Sequence, residues 1–228
     1  MPRNSRLQTA AQGYIDREQF ASIEWLVEAK GQVLTSGKVD PSAGSGIPAD
    51  ALYRIYSMTK PIVSVMALML IEQGRLRLYD ALPQFNPVFA GMRVLHASGR
   101  LEPVARPILV EDLLTHRSGF SYEFITGCHI APGYDAVDLS SDGKCSLDEM
   151  MTKLAAQPLA FQPGSQYRYS VSTDVLAHVL EKATGQSLVS LLQEHILTPL
   201  GMHDTDFHVP AAKQARLMPM YGVTDVSE

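Results

Sequence analysis

Ser57 and Lys60 stand three residues apart at the head of "SMTKPIVSVMALMLIEQG", whose apolar run from Ile62 to Ile71 is broken only by Ser64. No other stretch constrains the chain as tightly. Such a run reads as a helix that needs cover on several sides, and it is too short to span a bilayer. Gly74 is placed to end it. Pro61 lacks an N–H and is tolerated within a first turn, so the helix is predicted to begin at or just before Ser57. Residues three apart share a helix face, which brings the Lys60 amine beside the Ser57 hydroxyl. A serine there has its own N–H free and the positive end of the helix dipole beneath it. Both favour the negative charge that develops when a hydroxyl attacks a carbonyl. Burial of the helix is expected to lower the pKa of Lys60 toward that of a usable base. Ser-x-x-Lys also arises by chance, since serine is a common N-cap and lysine a common surface residue. A surface lysine, however, does not account for the apolar helix behind it.

The rest of the chain reads as strands first and helices afterwards. Residues 6–19 fit an amphipathic helix. "ASIEWLVEAKGQVLTSGKVD" fits two strands joined near Lys30-Gly31, and "PSAGSGIPAD" fits a loop. Helices are predicted at 110–115, 147–156, 172–184 and 187–196. Residues 119–146, rich in Gly, Ser, Asp and Pro, read as a long loop, and long loops in compact domains are often functional. Two strands make a poor sheet on their own.

A second stretch, "FQPGSQYRYSVSTDVLAHVLEKATGQSL", sets Tyr169 and Ser170 after a Pro-Gly turn and just ahead of a helix. A tyrosine at such a junction can present its phenol to a cleft. It can equally be a half-buried aromatic with a satisfied hydroxyl.

Taken with "YRIYSMTKPIVSVMALMLIEQGRLRLYD", "VEDLLTHRSGF" and "ILTPLGMHDTDF", this stretch resembles the serine β-lactamase and penicillin-recognising superfamily. The likeness is to its class C-like branch, nearest the family VIII carboxylesterases, and it covers residues 23–207. The resemblance implies an α/β (α+β) fold with an antiparallel sheet flanked by helices and a mostly helical domain. On this reading residues 1–80 form the N-terminal part of the sheet domain and 81–228 the helical domain. It also implies that Ser57 is the nucleophile, Lys60 its general-base partner and Tyr169 the proton shuttle. Tyr167 is the neighbouring candidate, but "YSV" fits the tyrosine motif better. Phe120, Tyr122 and Phe124 either wall the acyl pocket or are plain loop packing. No metal or organic cofactor is expected.

There are two departures from the family pattern. The lactamase motif is Tyr-x-Asn, whereas the third position here is Val171, which cannot hydrogen-bond a β-lactam's amide; this leans toward esters. The family's third motif, Lys-Thr-Gly or His-x-Gly on a late strand, has no counterpart after Phe207. A C-terminal segment or second chain is therefore expected to complete the sheet and supply the second oxyanion donor. The function expected is a serine hydrolase acting on small-molecule esters. The alternatives are a β-lactamase or D-amino-acid peptidase of the same fold, or a penicillin-recognising module without turnover.

Other chemistries find less support. There is no Gly-x-Ser-x-Gly elbow for an α/β-hydrolase and no Gly-rich phosphate loop. His195, His203 and His208 match no zinc spacing, and His116 reads as a structural histidine at a helix end. A net charge of −5 argues against nucleic acid or a polybasic membrane contact. The first twenty residues lack the apolar core of a signal peptide. Cys128 and Cys145 fit no metal spacing and read as two reduced thiols. A cytoplasmic protein is expected.

Overall fold

The Lys30-Gly31 pair turns the chain as its sequence requires. In the computed structural model, which describes residues 3–41, 46–139 and 145–220, these two residues have φ of 53° and 73°. Two successive left-handed residues are what a two-residue hairpin turn needs. The turn joins β1 (Ile23–Ala29) to β2 (Gln32–Val39), antiparallel, with Ile23 opposite Val39 and a bulge between Val27 and Glu28. One compact unit holds this hairpin together with α1 (Arg3–Asp16) and the segment from His208 onward. Ala11 and Ile15 of α1 pack on Val39, with Ile23 and Trp25 at the margin. Gly37 is required by the Trp25 ring, which a Cβ there would meet at 2.4 Å. A bridge between Leu52 and Leu217 ties the unit's two chain segments together. The sheet leaves Leu26, Val33 and Leu34 exposed.

The second compact unit runs from Ile55 to Phe207. Its elements are α2 (Thr59–Glu72), α3 (Leu82–Phe85), the short strands β3 (Arg93–Leu95) and β4 (Leu101–Pro103), α4 (Val110–Leu114) and α5 (Ala131–Ala136). They continue with α6 (Leu147–Ala155), α7 (Ser172–Thr184) and α8 (Leu188–Leu192), which runs on into a π turn over Gln193–Leu197. One core gathers Met66 and Leu70 of α2, Leu113 of α4, Met151 and Leu154 of α6, Leu176 and Leu180 of α7, and Leu191 of α8. Packing thus groups α2 with the helices that follow it, whereas the sequence reading placed it with residues 1–80. The described residues cover α2 on one side only. Val63, Met66, Ala67 and Leu70 form a single buried stripe, and Val65 and Leu68 on the opposite side are exposed.

Local chemistry ends α2 near the predicted Gly74 and α7 at the predicted Thr184. Gly74 follows α2 at φ 71° and Gly185 caps α7 at φ 73°, both left-handed positions that favour glycine. Ser146 and Glu149 form a reciprocal capping box at the start of α6, as a Ser-x-x-Glu spacing allows. No helix among the described residues is long and apolar enough to cross a membrane.

Candidate active site

Ser57 lies in a 3-10 turn over Tyr56–Met58 that leads directly into α2. Tyr56 enters that turn at φ 42°, a left-handed position unusual for a non-glycine residue. One turn on, the Lys60 ammonium donates to Ser57 Oγ at 3.4 Å and to Tyr122 Oη at 3.0 Å. From the far end of the sequence the Tyr169 hydroxyl also hydrogen-bonds Ser57 Oγ. Lys60 Nζ sits 4.9 Å from the centre of the Tyr169 ring. The nucleophile candidate is therefore shared between a phenol and an ammonium.

The electrostatics run against one expectation. Burial does push Lys60 down, but its hydrogen bonds to Tyr122 and Tyr169 outweigh this and leave its pKa above the ordinary value. Lys60 is an ammonium, not a free amine. For Tyr169, burial pushes the phenol up, and the hydrogen bonds with Ser57 and Lys60, with the Lys60 charge, pull its pKa below the ordinary value. A cation beside a phenol favours the phenolate. These directions make Tyr169 the better proton acceptor of the two.

Ring contacts and a buried hydroxyl chain flank Tyr169. The His116 ring lies 5.0 Å from it. Burial, and then the Lys60 charge, hold His116 below its ordinary pKa, so it is neutral. Its Nδ1 meets Ser170 Oγ at 3.4 Å, Ser170 Oγ meets Ser172 Oγ at 2.7 Å, and Ser172 Oγ meets Ser118 Oγ at 2.8 Å. All three serines are buried. This hydroxyl chain joins the loop after α4 to the start of α7.

A cavity of about 680 Å³ opens beside Ser57, lined by Tyr122, Tyr169 and Val171 and by apolar groups from Leu139, Leu147 and Met150. Its size lies within the range of small-molecule sites. Among the described residues no group of three or more His, Cys, Asp or Glu side chains is arranged to hold a metal ion.

The sequence model of the β-lactamase family matches residues 7–227. The chain belongs to the β-lactamase family. Its β-lactamase-like fold here combines helices with small antiparallel sheets. The chain is 37% identical over 195 residues to esterase EstB of Burkholderia gladioli, a match covering 80% of this chain and 46% of EstB. Among solved structures it resembles EstCE1, a hydrolase with promiscuous acyltransferase activity, at a TM-score of 0.73 and 26% identity, over 86% of this chain and 51% of that one. It also resembles a β-lactamase/D-alanine carboxypeptidase from Yersinia pestis complexed with citrate, at a TM-score of 0.70 and 25% identity, over 95% and 58% of the two chains. The chain spans about half the length of the curated relatives it matches.

In this β-lactamase-family site the sequence-predicted residues fall unevenly. Ser57, Lys60 and Tyr169 come together, whereas Tyr167 is exposed and turns toward His116 at 6.1 Å between rings. Phe124 and Val171 line the cavity. Phe120 does not: it is fully buried and packs edge-on against Phe89 at 6.1 Å. Tyr122 has a part beyond the one expected. Its ring walls the cavity, but its hydroxyl is a partner of Lys60. Asp174 was not anticipated at all, although its spacing of three from Val171 places it on the same side of α7.

Proposed function

We propose that this chain carries the nucleophile and proton-transfer groups of a serine hydrolase acting on carboxylic esters. The observation that carries the reading is the sharing of Ser57 Oγ between the Tyr169 phenol and the Lys60 ammonium. The Tyr169 phenolate takes the Ser57 proton as Oγ attacks the ester carbonyl, while Lys60 stays charged and steadies the phenolate. The tetrahedral oxyanion is held by the Ser57 backbone N–H and a second donor from a further strand. Collapse breaks the bond to the alcohol oxygen, which leaves with the proton from Tyr169. Water then enters, gives a proton to Tyr169 and releases the acid, returning the proton to Ser57. The likeness to an esterase, EstB, and to EstCE1, a hydrolase with acyltransferase activity, supports esters, as does the apolar Val171 in the cavity wall. Turnover of β-lactams or D-amino-acid peptides is the second reading, favoured by the likeness to the Yersinia pestis protein.

The same reading includes a further segment that completes the sheet. The exposed Leu26, Val33 and Leu34 of β1–β2 are the surface it would cover.

Hydrolysis of p-nitrophenyl butyrate is the test, with fluorophosphonate labelling mapped by mass spectrometry. Label on Ser57 and loss of turnover in Ser57→Ala are expected. Undiminished hydrolysis by Ser57→Ala would overturn the assignment.

A further inference from the structure

No step above uses Asp174. It stands in the first turn of α7, on the same side as Val171, and lines the cavity that reaches Ser57. It is the one charged side chain among the described residues lining that cavity. The other described lining residues are uncharged and mostly aromatic or apolar, with Tyr122 and Phe124 stacked at 4.7 Å and 16°. No cationic side chain among the described residues forms an ion pair with it. Lys60 acts on it only through its field, because the ammonium is engaged by Tyr122 and Ser57.

We infer that Asp174 sets the charge preference of this cavity, disfavouring substrates that carry a carboxylate and favouring those that carry an ammonium group. A carboxylate entering these walls meets a second carboxyl, with no cation from the described lining residues between them, and like charges juxtaposed in a partly desolvated site are strongly disfavoured. An ammonium instead gains a counter-ion and two kinds of partner: the carboxyl of Asp174 and the aromatic faces beside it. Burial raises the Asp174 pKa, which is the mark of a charge short of compensation, and a cationic substituent supplies that compensation. Specificity of this kind is a repulsive element set against one class of substrate. The inference deepens the esterase reading and rests on it for its kinetic arm.

Three p-nitrophenyl esters of similar acyl length test it: the neutral pentanoate, the glutarate monoester and the 4-(trimethylammonio)butanoate. Their kcat/KM values are compared in the wild type and in Asp174→Asn, with Asp174→Ser as a second variant should the first fail to fold. The glutarate is expected roughly tenfold or more below the pentanoate, and the cationic ester at or above it. Loss of the carboxylate should bring the two charged esters within about threefold of one another. Calorimetry with phenyltrimethylammonium and with 3-phenylpropanoate reads the same preference without turnover. An inactive protein that still binds the cation more tightly therefore overturns only the esterase reading. Glutarate hydrolysis equal to that of the pentanoate, a spread unchanged in both variants, or equal binding of the two phenyl ligands would overturn the role of Asp174.

Discussion

The Tyr122 hydroxyl accepts a hydrogen bond from the Lys60 ammonium at 3.0 Å, and this contact helps to keep Lys60 charged. Tyr122→Phe removes it and lets the burial of Lys60 prevail. Lys60 has its pKa raised by its tyrosine partners, so its ammonium persists until pH climbs through that raised value. Without Tyr122 the value falls, and the alkaline limb of the kcat/KM profile should move to lower pH. Turnover at the optimum is expected to fall about tenfold, with the thermal midpoint little changed. An alkaline limb that stays in place would separate Tyr122 from Lys60.

Tyr169→Phe removes the proposed proton acceptor. Turnover should drop on the order of 10²-fold or more, the scale of general acid–base catalysis. In the wild type the depressed phenol pKa means that the active phenolate gains population as pH rises. The rate should therefore increase with pH on the acid side, and Lys60→Ala should push that limb upward. Near-wild-type rates for Tyr169→Phe would remove the phenol from the chemistry.

Val171 bears on the choice between esters and β-lactams. It is buried at the start of α7 and meets the cavity with an apolar face. A site that lacks a hydrogen-bonding group discriminates poorly for a polar substrate. The kcat/KM for p-nitrophenyl butyrate should exceed that for nitrocefin on one preparation. Nitrocefin turnover equal to the ester's would favour the lactamase reading.

Asp112 is a stability prediction. Its carboxylate accepts from both Arg106 nitrogens at 2.6 and 2.9 Å and from the Leu109 N–H at 2.9 Å. Asp112 is buried, while Arg106 is partly exposed and can be rehydrated once its partner is gone. Asp112→Ala should cost about 2 kcal/mol, read as a lower urea midpoint at unchanged slope.

The sequence made the local parts of this molecule legible. Three-residue spacing put Lys60 beside Ser57, and Gly185 closed α7 at Thr184, because both are facts of a single helix. What escaped was set by distant residues. The pKa of Lys60 goes up rather than down because Tyr122, 62 residues away in sequence, and Tyr169 reach its amine. Strands β3 and β4 have three residues each, too few for an alternating pattern to register. Phe120 and Tyr122 look alike in sequence, yet one fills the core against Phe89 and the other reaches Lys60, both partners set by the tertiary fold.

The hydroxyl chain from His116 through Ser170 and Ser172 to Ser118 has a consequence for anyone building chimaeras. Each middle serine can donate to one neighbour while accepting from the other, so the protons along the row point in a common sense and reverse only together. Replacing one link strands its neighbour in a dry interior. The stretches "THRSG" and "YSVS" are thus exchangeable between relatives as a matched pair, and a graft that imports one alone would deliver Tyr169 to Ser57 on a loosened mount.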